Sequence, residues 1–296
     1  MRDEVRLALA QGRAVVGLES TVISHGLPFP DNRETAHAME AAVRDAGAVP
    51  ATIGLVDGNI VVGLSSGEIE RFAEGRGIFK VSRRDFAPVL AKKACGATTV
   101  AGTMMVCAAA GIRLFATGGI GGVHRGATQT FDVSADLTEL SQTAVAVVCA
   151  GPKAVLDIGL TLEVLETFGV PLIGFKSATL PSFYSRDSGF TLEYSCSTAQ
   201  EIAGVLRAHW QIGMRSGVLI TNPPPADVAL ERTGVETIIA EALNAAEREQ
   251  IRGKAVTPFL LSYLGHATQG KTLVVNKALL LNNATAAAEI ALAFAN

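Results

Sequence analysis

The chain has 296 residues, of which 49% are hydrophobic and 18% charged, and its mean hydropathy is +0.33. This balance excludes an intrinsically disordered chain, because enough apolar surface is present to form a packed core. The net charge is −3 and no long basic run occurs, so we expect no nucleic-acid polymer as a partner. The charge does not exclude a small anionic ligand, because such a ligand needs only a few local cations. Aromatic residues make up only 5%, which favours helices packed on a sheet over a β-sandwich.

The first half of the chain alternates short apolar runs with longer segments of helical periodicity. Asp31 and Glu34 resemble a capping box before the first predicted helix, and Asp57-Gly58 is a turn signal between two strands. In chain order, the predicted elements are strand Ala14–Leu18, helix Arg33–Ala46, strands Val49–Val56 and Ile60–Val62, helix Ser66–Glu74, strand Ile78–Val81, and helices Asp85–Lys93 and Thr98–Ala110.

The second half continues the same alternation, with no internal repeat and no low-complexity linker. We therefore predict a single domain over residues 1–296, with a three-layer α/β/α architecture and a mainly parallel central sheet. The predicted elements are strand Arg113–Ala116, helix Ser134–Ser141, strand Ala144–Cys149, helix Lys153–Phe168, strand Pro171–Phe175, helix Thr198–Gln211, strand Gly217–Thr221 and three later helices.

The cysteines and the termini limit the cellular setting. Cys95, Cys107, Cys149 and Cys196 are far apart and form no C-x-x-C pair, so we expect reduced thiols and neither a disulfide framework nor a zinc site. The N-terminal residues are charged and lack the apolar stretch of a signal peptide. No uncharged apolar run is long enough to span a membrane, so we expect a cytoplasmic protein without a membrane partner.

Polar clusters follow four of the predicted strands. Functional side chains in α/β proteins collect where the strands end, so these clusters are candidates for a single site. The four groups are Glu19; Lys80, Arg83, Arg84 and Asp85; Thr117, His124, Arg125, Asp132 and Asp136; and Lys153.

Lys153 and Glu19 are the candidates for acid–base and nucleophilic chemistry. Lys153 follows a buried strand and a Gly-Pro turn, at the predicted start of a helix. The positive end of a helix disfavours the ammonium form, and a neutral amine can attack an aldehyde to give a Schiff base. The alternative is a solvated loop lysine. In an apolar setting Glu19 can serve as a general acid, because burial raises the pKa of a carboxyl group. Its alternative is a carboxylate that caps a loop or pairs with an arginine.

The glycine-rich segment TGGIGGVHRG and the aspartates after it suggest ligand binding. Glycines permit close backbone approach to an anion, and His124 and Arg125 add positive charge, although a single loop histidine often has neither role. The segment does not fit the dinucleotide fingerprint G-x-G-x-x-G. Asp132 and Asp136 offer hard oxygen ligands for Mn²⁺ or Mg²⁺, although two aspartates four apart are also common at a helix start.

One short pattern, Gly265–Thr272, fits the phosphate-loop motif G-x-x-x-x-G-K-[ST]. A real phosphate loop follows a core strand, and further strands come after it. Here the preceding residues favour a helix, and only 24 residues follow Thr272. We therefore do not expect a nucleotide site at this match.

At these clusters the sequence resembles the pseudouridine-5'-phosphate glycosidase family, which shares its fold with indigoidine synthase A-like proteins. The resemblance extends from about Ala14 to the final helix. The matching segments include LESTVISHGLPFP, VPATIG, KVSRRD, GATTVAGTM, FATGGIGGVHRGA, FDVSADL, VVCAGPKAVLDIGLT and ETFGVPLIGF. The chain departs from the family pattern at Pro152 and in the tail after Gly253.

The resemblance implies a role for each matching residue, and it also implies a homotrimer. Lys153 corresponds to the Schiff-base lysine, Glu19 to the proton donor, and Asp132 to an aspartate that binds manganese partly through water. Asp136 corresponds to a substrate-contacting residue that handles a proton, and Lys80 to a lysine that faces the phosphate. The implied substrate-binding positions are Lys80, Val100, Thr117, His124, Ser134, Ala135, Asp136 and Asn276.

The implied reaction converts pseudouridine 5'-phosphate to uracil and ribose 5-phosphate. The carbon–carbon glycosidic bond has a poor leaving group, so a pair of carboxylates alone is a poor catalyst for its cleavage. An imine between Lys153 and the opened sugar supplies an electron sink. Three alternatives stay open: a related hydrolase for another sugar phosphate, a nucleotide-binding protein that uses Gly265–Thr272, and a non-catalytic binding module.

Overall fold

The computed structural model describes residues 1–251 and 256–295. Most of its strands are short runs of buried small and β-branched residues, the pattern of a sheet covered on both faces. The strands are β1 (Val15–Leu18), β2 (Val49–Val56), β3 (Asn59–Val62), β4 (Ile78–Val81), β5 (Cys95–Thr98), β6 (Leu114–Ala116), β7 (Val123–His124), β8 (Ala146–Cys149), β9 (Leu156–Asp157), β10 (Leu172–Phe175), β11 (Tyr194–Cys196) and β12 (Val218–Thr221).

Helices connect most of these strands. Two short turns add to them, a π-helical turn at Val22–Gly26 and a 3-10 turn at Arg83–Asp85. The helices are α1 (Asp3–Ala10), α2 (Asp31–Asp45), α3 (Ser66–Glu74), α4 (Phe86–Ala91), α5 (Val100–Ala110), α6 (Ala127–Thr130), α7 (Ala135–Gln142), α8 (Ile158–Thr167), α9 (Ala199–Gln211), α10 (Arg232–Arg248), α11 (Val256–Ala267) and α12 (Lys271–Ala295).

The main sheet has the strand order β11-β10-β12-β8-β6-β1-β2-β5-β4, and β3 pairs with β2. All neighbours from β11 to β2 are parallel, whereas β5 runs antiparallel to β2. β5 pairs only with Gly54 and Leu55 in the second half of β2, beyond the residues that pair with β1, so its carboxyl end runs back toward the carboxyl end of β1. The Thr98 N–H donates a hydrogen bond to the Ser20 hydroxyl over 2.9 Å. This reversal brings β4 and β5 to the same site as the parallel strands.

Alternate side chains of the strands enter two apolar layers on opposite faces of the sheet. Val16 and Val148 pack with α2, α9 and α12, whereas Val15 and Val147 pack with α1, α5 and α7. The predicted three-layer α/β/α architecture with a mainly parallel sheet is therefore confirmed.

The last helix, α12, is long and apolar enough to cross a membrane by length and composition alone. In the structure it packs against α2, α9, β1, β6 and β8, and more than half of its most apolar stretch is buried. This is the burial of a core helix.

Several predicted boundaries differ from the structure. The predicted helix Thr98–Ala110 begins at Val100, and the strand Cys95–Thr98 precedes it. The predicted helix Lys153–Phe168 begins only at Ile158, because the residues before it form a loop and strand β9, which pairs with β7. The phosphate-loop match Gly265–Thr272 spans the turn between helices α11 and α12, so it lacks the preceding strand that such a loop requires.

Candidate active site

Glu19 lies at the carboxyl end of β1 with only 8% of its surface exposed. The Thr117 hydroxyl, at the end of the neighbouring strand β6, donates a hydrogen bond to Glu19 Oε1. Burial raises the pKa of the Glu19 carboxyl and outweighs the opposing effects of Lys153, the Thr117 hydroxyl and Lys80, while Asp136 raises it further. Glu19 is thus a buried carboxyl group whose pKa is raised, which is the direction that a proton donor requires.

Lys153 follows β8 in the loop before α8. Its backbone N–H donates to the Ile120 carbonyl over 3.1 Å, and its partly buried side chain interacts electrostatically with Glu19. The argument from a helix N-terminus is wrong for Lys153, because α8 begins five residues later, at Ile158. The interpretation of Lys153 as a nucleophile rests instead on the electrostatic interaction of its amine with the buried Glu19.

Asp136 connects two parts of the site through both of its carboxylate oxygens. Oδ1 accepts a hydrogen bond from the Ala101 N–H in the first turn of α5, and Oδ2 accepts one from the Gly121 N–H, at 2.9 and 2.8 Å. The Asp136 N–H in turn donates to the Ser134 hydroxyl, which caps α7. Both carboxylate oxygens are occupied by backbone donors, so this contact set supports positioning of the loops more directly than proton transfer.

The glycine-rich loop is closely packed by protein side chains. A Cβ added at Gly121 overlaps the Ser134 hydroxyl, and one at Gly119 lies 2.6 Å from the Phe183 ring. The space beside Gly122 is filled by Thr161. The glycines are needed because protein side chains pack directly on the loop backbone.

Two of the predicted cations are held in ion pairs with glutamates. Arg83 forms a bidentate pair with the buried Glu139, and Arg125 pairs with Glu236 over 2.8 Å. Lys80, exposed at the end of β4, interacts electrostatically with Glu19 and with His25. We assign the two paired arginines to the scaffold, and a phosphate contact of Lys80 stays a prediction.

Val100 and Ala135 each stand at the first residue of a helix beside the Asp136 contacts. Val100 begins α5 and is 2% exposed, whereas Ala135 begins α7 and is exposed. The residue after each of them takes part in the hydrogen bond between Ala101 and Asp136, and a substrate contact of Val100 or Ala135 stays a prediction.

The predicted metal ligand Asp132 lies beside His124. The His124 N–H donates to the Asp132 carbonyl over 3.0 Å, and His124 Nδ1 lies 3.9 Å from Asp132 Oδ2. Within residues 1–251 and 256–295, no group of three or more His, Cys, Asp or Glu side chains has metal-binding geometry. One half-exposed carboxylate fits a divalent cation that keeps most of its water ligands, and it does not fit an all-protein metal cage.

The sequence interpretation missed three residues near the site. His25, in the turn after Glu19, hydrogen-bonds with the backbone of Ile78 and Phe79, and burial lowers its pKa. Asn222, after β12, and Asn283, in α12, form a buried amide pair with 3.1 Å between Nδ2 and Oδ1. The strand-end position of His25 and Asn222 was an available signal, whereas nothing in an apolar helix distinguishes Asn283.

The predicted residue Asn276 lies on the same helix, seven residues before Asn283 and partly buried. Seven residues are nearly two helical turns, so the two asparagines share a face about 10 Å apart. Asn283 is the one that reaches the end of β6, and a substrate contact of Asn276 stays a prediction.

The family model described as "Indigoidine synthase A like protein" matches residues 4–293. A pseudouridine-5'-phosphate glycosidase from Geobacillus kaustophilus is 53% identical over 289 residues, which cover 98% of this chain and 96% of that protein. One from Caldanaerobacter subterraneus subsp. tengcongensis is 52% identical over 291 residues, with 98% and 95% covered.

Two solved structures share the fold. The prealnumycin C-glycosynthase AlnA in complex with ribulose 5-phosphate superposes with a TM-score of 0.93 at 42% identity, over 99% of this chain and 96% of that one. An indigoidine synthase A-like protein from Thermotoga maritima gives a TM-score of 0.89 at 35% identity, over 97% and 94%. The chain therefore belongs to the indigoidine synthase A-like family, the family of the pseudouridine-5'-phosphate glycosidases.

Proposed function

We propose that this protein is a pseudouridine-5'-phosphate glycosidase, which cleaves its substrate reversibly to uracil and ribose 5-phosphate in nucleotide catabolism. The observation that carries the proposal is the pairing of a buried acid, Glu19, with an amine, Lys153, at two strand ends of one sheet. The curated relatives at about half identity carry the same activity in their names. AlnA, bound to a pentulose phosphate, has the same fold and makes C-glycosidic bonds according to its name.

The first step opens the sugar. Glu19 donates its proton to the ring oxygen O4' as the C1'–O4' bond breaks, and electrons of the uracil ring form a double bond between C5 and C1'. The neutral amine of Lys153 then adds to C1', and these electrons return to the ring. This step requires a protonated Glu19, and burial raises the pKa of its carboxyl in that direction.

The second half breaks the carbon–carbon bond. C5 gains a proton, the nitrogen lone pair forms a C1'=N bond, and the C1'–C5 electron pair restores the C5=C6 double bond of uracil. The proton lost by the nitrogen balances the one gained by C5. Water then hydrolyses the iminium, which frees the Lys153 amine and releases ribose 5-phosphate.

The other residues bind and orient the substrate. Lys80 offers its exposed cation to the phosphate, while Asp136 holds the α5 N-terminus against the glycine loop. Asp132, with His124 beside it, would hold a hydrated Mn²⁺ or another divalent cation, which supplies ordered water and positive charge next to the sugar.

The family resemblance also supports a homotrimer, and the sequence features described above favour the cytoplasm. Native mass spectrometry of the purified protein tests the oligomeric state, since a trimer has three times the 30.7 kDa mass of the chain. Fractionation of the source cells tests the location.

Borohydride trapping tests the covalent step. The protein is incubated with Mn²⁺ and either pseudouridine 5'-phosphate or ribose 5-phosphate, reduced, and examined by intact-mass and peptide analysis. We expect a pentose-phosphate adduct on the peptide that contains Lys153, and none in Lys153→Ala. Lys176→Ala is the matched control, because Lys176 is an exposed lysine after another parallel strand, and it should keep the adduct.

Three outcomes distinguish the alternatives. Absence of both an adduct and uracil release contradicts the proposal and favours a hydrolase for another sugar phosphate. An adduct with ribose 5-phosphate but no uracil release indicates C-glycoside chemistry with another aromatic partner, as the name of AlnA suggests. Full biological activity of Lys153→Ala supports a non-catalytic binding module.

A further inference from the structure

A chain of buried hydrogen bonds connects the last helix to the proposed acid. Asn222 Nδ2 donates to Asn283 Oδ1 over 3.1 Å, and Asn283 Nδ2 donates to the Thr117 carbonyl over 2.8 Å. The Thr117 hydroxyl then donates to Glu19. The four side chains come from four different parts of the chain, and each residue is less than a tenth exposed.

The chemistry of this chain explains why an asparagine stands at position 283. The Thr117 carbonyl needs a donor and the Asn222 amide needs an acceptor, and one buried carboxamide satisfies both. An aspartate offers no donor to the carbonyl, and a leucine of similar size satisfies neither group. Asn283 Nδ2 also donates a longer hydrogen bond, 3.4 Å, to the Gly118 carbonyl. Asn283 therefore also contacts the first glycine of the glycine-rich loop.

We infer that Asn283 is a positioning residue of the catalytic reaction, which fixes the end of β6 so that the Thr117 hydroxyl meets Glu19. The inference rests on the proposed function, because Glu19 is taken as the proton donor. In this role Asn283 acts through Thr117 and is not itself a catalytic residue. The ionic groups that face Glu19 are Lys153 after β8, Asp136 in α7 and Lys80 at the end of β4.

The test compares uracil release by the wild type, Asn283→Leu and Thr117→Val from pH 5 to 10. Loss of the Thr117 hydrogen bond favours protonated Glu19, so the alkaline limb of kcat/KM should move to higher pH by about half a unit. We expect Asn283→Leu to shift the limb in the same direction and to lower kcat about 10–100-fold with little change in KM. The double variant should be no slower than the slower single variant, because both act on one contact.

Asn282→Leu is the matched control. Asn282 is the neighbouring asparagine of α12, and its amide donates to the Pro223 carbonyl instead of β6. It should leave the alkaline limb unchanged. If Asn283→Leu does not fold, Asn222→Ala, which removes only the donor to Asn283 Oδ1, should give a smaller shift in the same direction.

The inference is overturned if a folded Asn283→Leu or Asn222→Ala keeps the wild-type alkaline limb, or if its effect adds fully to that of Thr117→Val. An equal loss in Asn282→Leu also overturns it, since the effect is then a general one of α12. A wild-type protein that releases no uracil at any pH contradicts the proposed function instead.

Discussion

The carboxylate of Asp136 lies 2.8 Å from the backbone nitrogen of Gly121 and accepts its hydrogen bond. This contact fixes the glycine loop against the N-terminus of α7, and the absence of a side chain at Gly121 makes it possible. The loop, the acid Glu19 and Lys153 therefore share one rigid frame at the strand ends.

Gly121→Ala should damage this frame. The new Cβ overlaps the Ser134 hydroxyl and lies 2.8 Å from Asp136 Oδ2, so the loop has to move. We expect a loss of about 1–3 kcal/mol in the free energy of unfolding, measured in urea, together with loss of uracil release. Gly204→Ala is the control, because nothing lies within 4 Å of its added Cβ in α9, and it should stabilise by about 0.5–1 kcal/mol. Wild-type activity of Gly121→Ala contradicts the prediction.

Arg83→Ala should affect stability more than substrate binding. Glu139 is 1% exposed and receives two hydrogen bonds from Arg83, at 2.6 and 2.7 Å, whereas Arg83 itself is half exposed. Removal of the guanidinium leaves a buried carboxylate short of donors, at a cost of about 1–3 kcal/mol. Arg84→Ala, at a 77% exposed side chain, should change stability by less than about 0.5 kcal/mol. A large rise in KM without loss of stability in Arg83→Ala identifies a phosphate ligand instead.

Glu40 should make the stability of the protein depend on pH. Its carboxyl accepts the Thr52 hydroxyl over 2.5 Å, and burial raises its pKa despite this bond and the nearby Arg44. Its contribution to stability is therefore complete below the pKa of an ordinary glutamate and is lost as the pH rises through the raised value. Glu40→Gln keeps the acceptor without the charge, so it should stabilise the protein more at pH 8 than at pH 4.

Urea unfolding at the two pH values measures this difference. Glu74→Gln, at an exposed glutamate of α3, serves as the control and should give the same difference from wild type at both pH values. An equal effect of Glu40→Gln at pH 4 and pH 8 would show that folding does not raise the pKa of the Glu40 carboxyl.

Asp132→Asn should weaken Mn²⁺ binding. Replacement of the carboxylate by an amide removes the charge that attracts the cation, and the neighbouring His124 cannot supply it. We expect at least a tenfold rise in the Kd for Mn²⁺. The electron paramagnetic resonance signal of free Mn²⁺ measures this Kd with no substrate present. Asp187→Asn, at an exposed loop aspartate, should keep the wild-type Kd. An unchanged Kd for Mn²⁺ in Asp132→Asn would show that the metal binds at another site.

The fold was predictable where the local pattern and the final packing agree. The β-branched run that ends at Cys149 is a buried parallel strand, as predicted. The strand Cys95–Thr98 was missed because its small residues carry little β-propensity, and the reversed sheet edge that stabilises it is a long-range feature. The prediction that Lys153 starts a helix was wrong. Its loop leads into β9, which pairs with the distant strand β7, and no local sequence signal indicates that pairing.

The site was predictable only for residues whose place in the fold follows from the local sequence. Glu19 and Thr117 stand at strand ends, and the parallel topology brings such positions together. The partners of Arg83 and Arg125 come from distant helices, so their sequence neighbourhood gave no sign that both were already paired. Asn283 depends on the register of α12 against β6, which only the packed structure defines.

The position of α12 along the chain has a consequence for biosynthesis. Every strand of the sheet precedes this helix, yet its Asn283 holds the Thr117 carbonyl at the end of β6. A ribosome-bound chain can therefore pair all of its strands before the residue that anchors β6 has been translated. Activity should then arise only after the last helix emerges and docks, so a nascent chain that stalls before α12 would have its sheet without a competent catalytic centre.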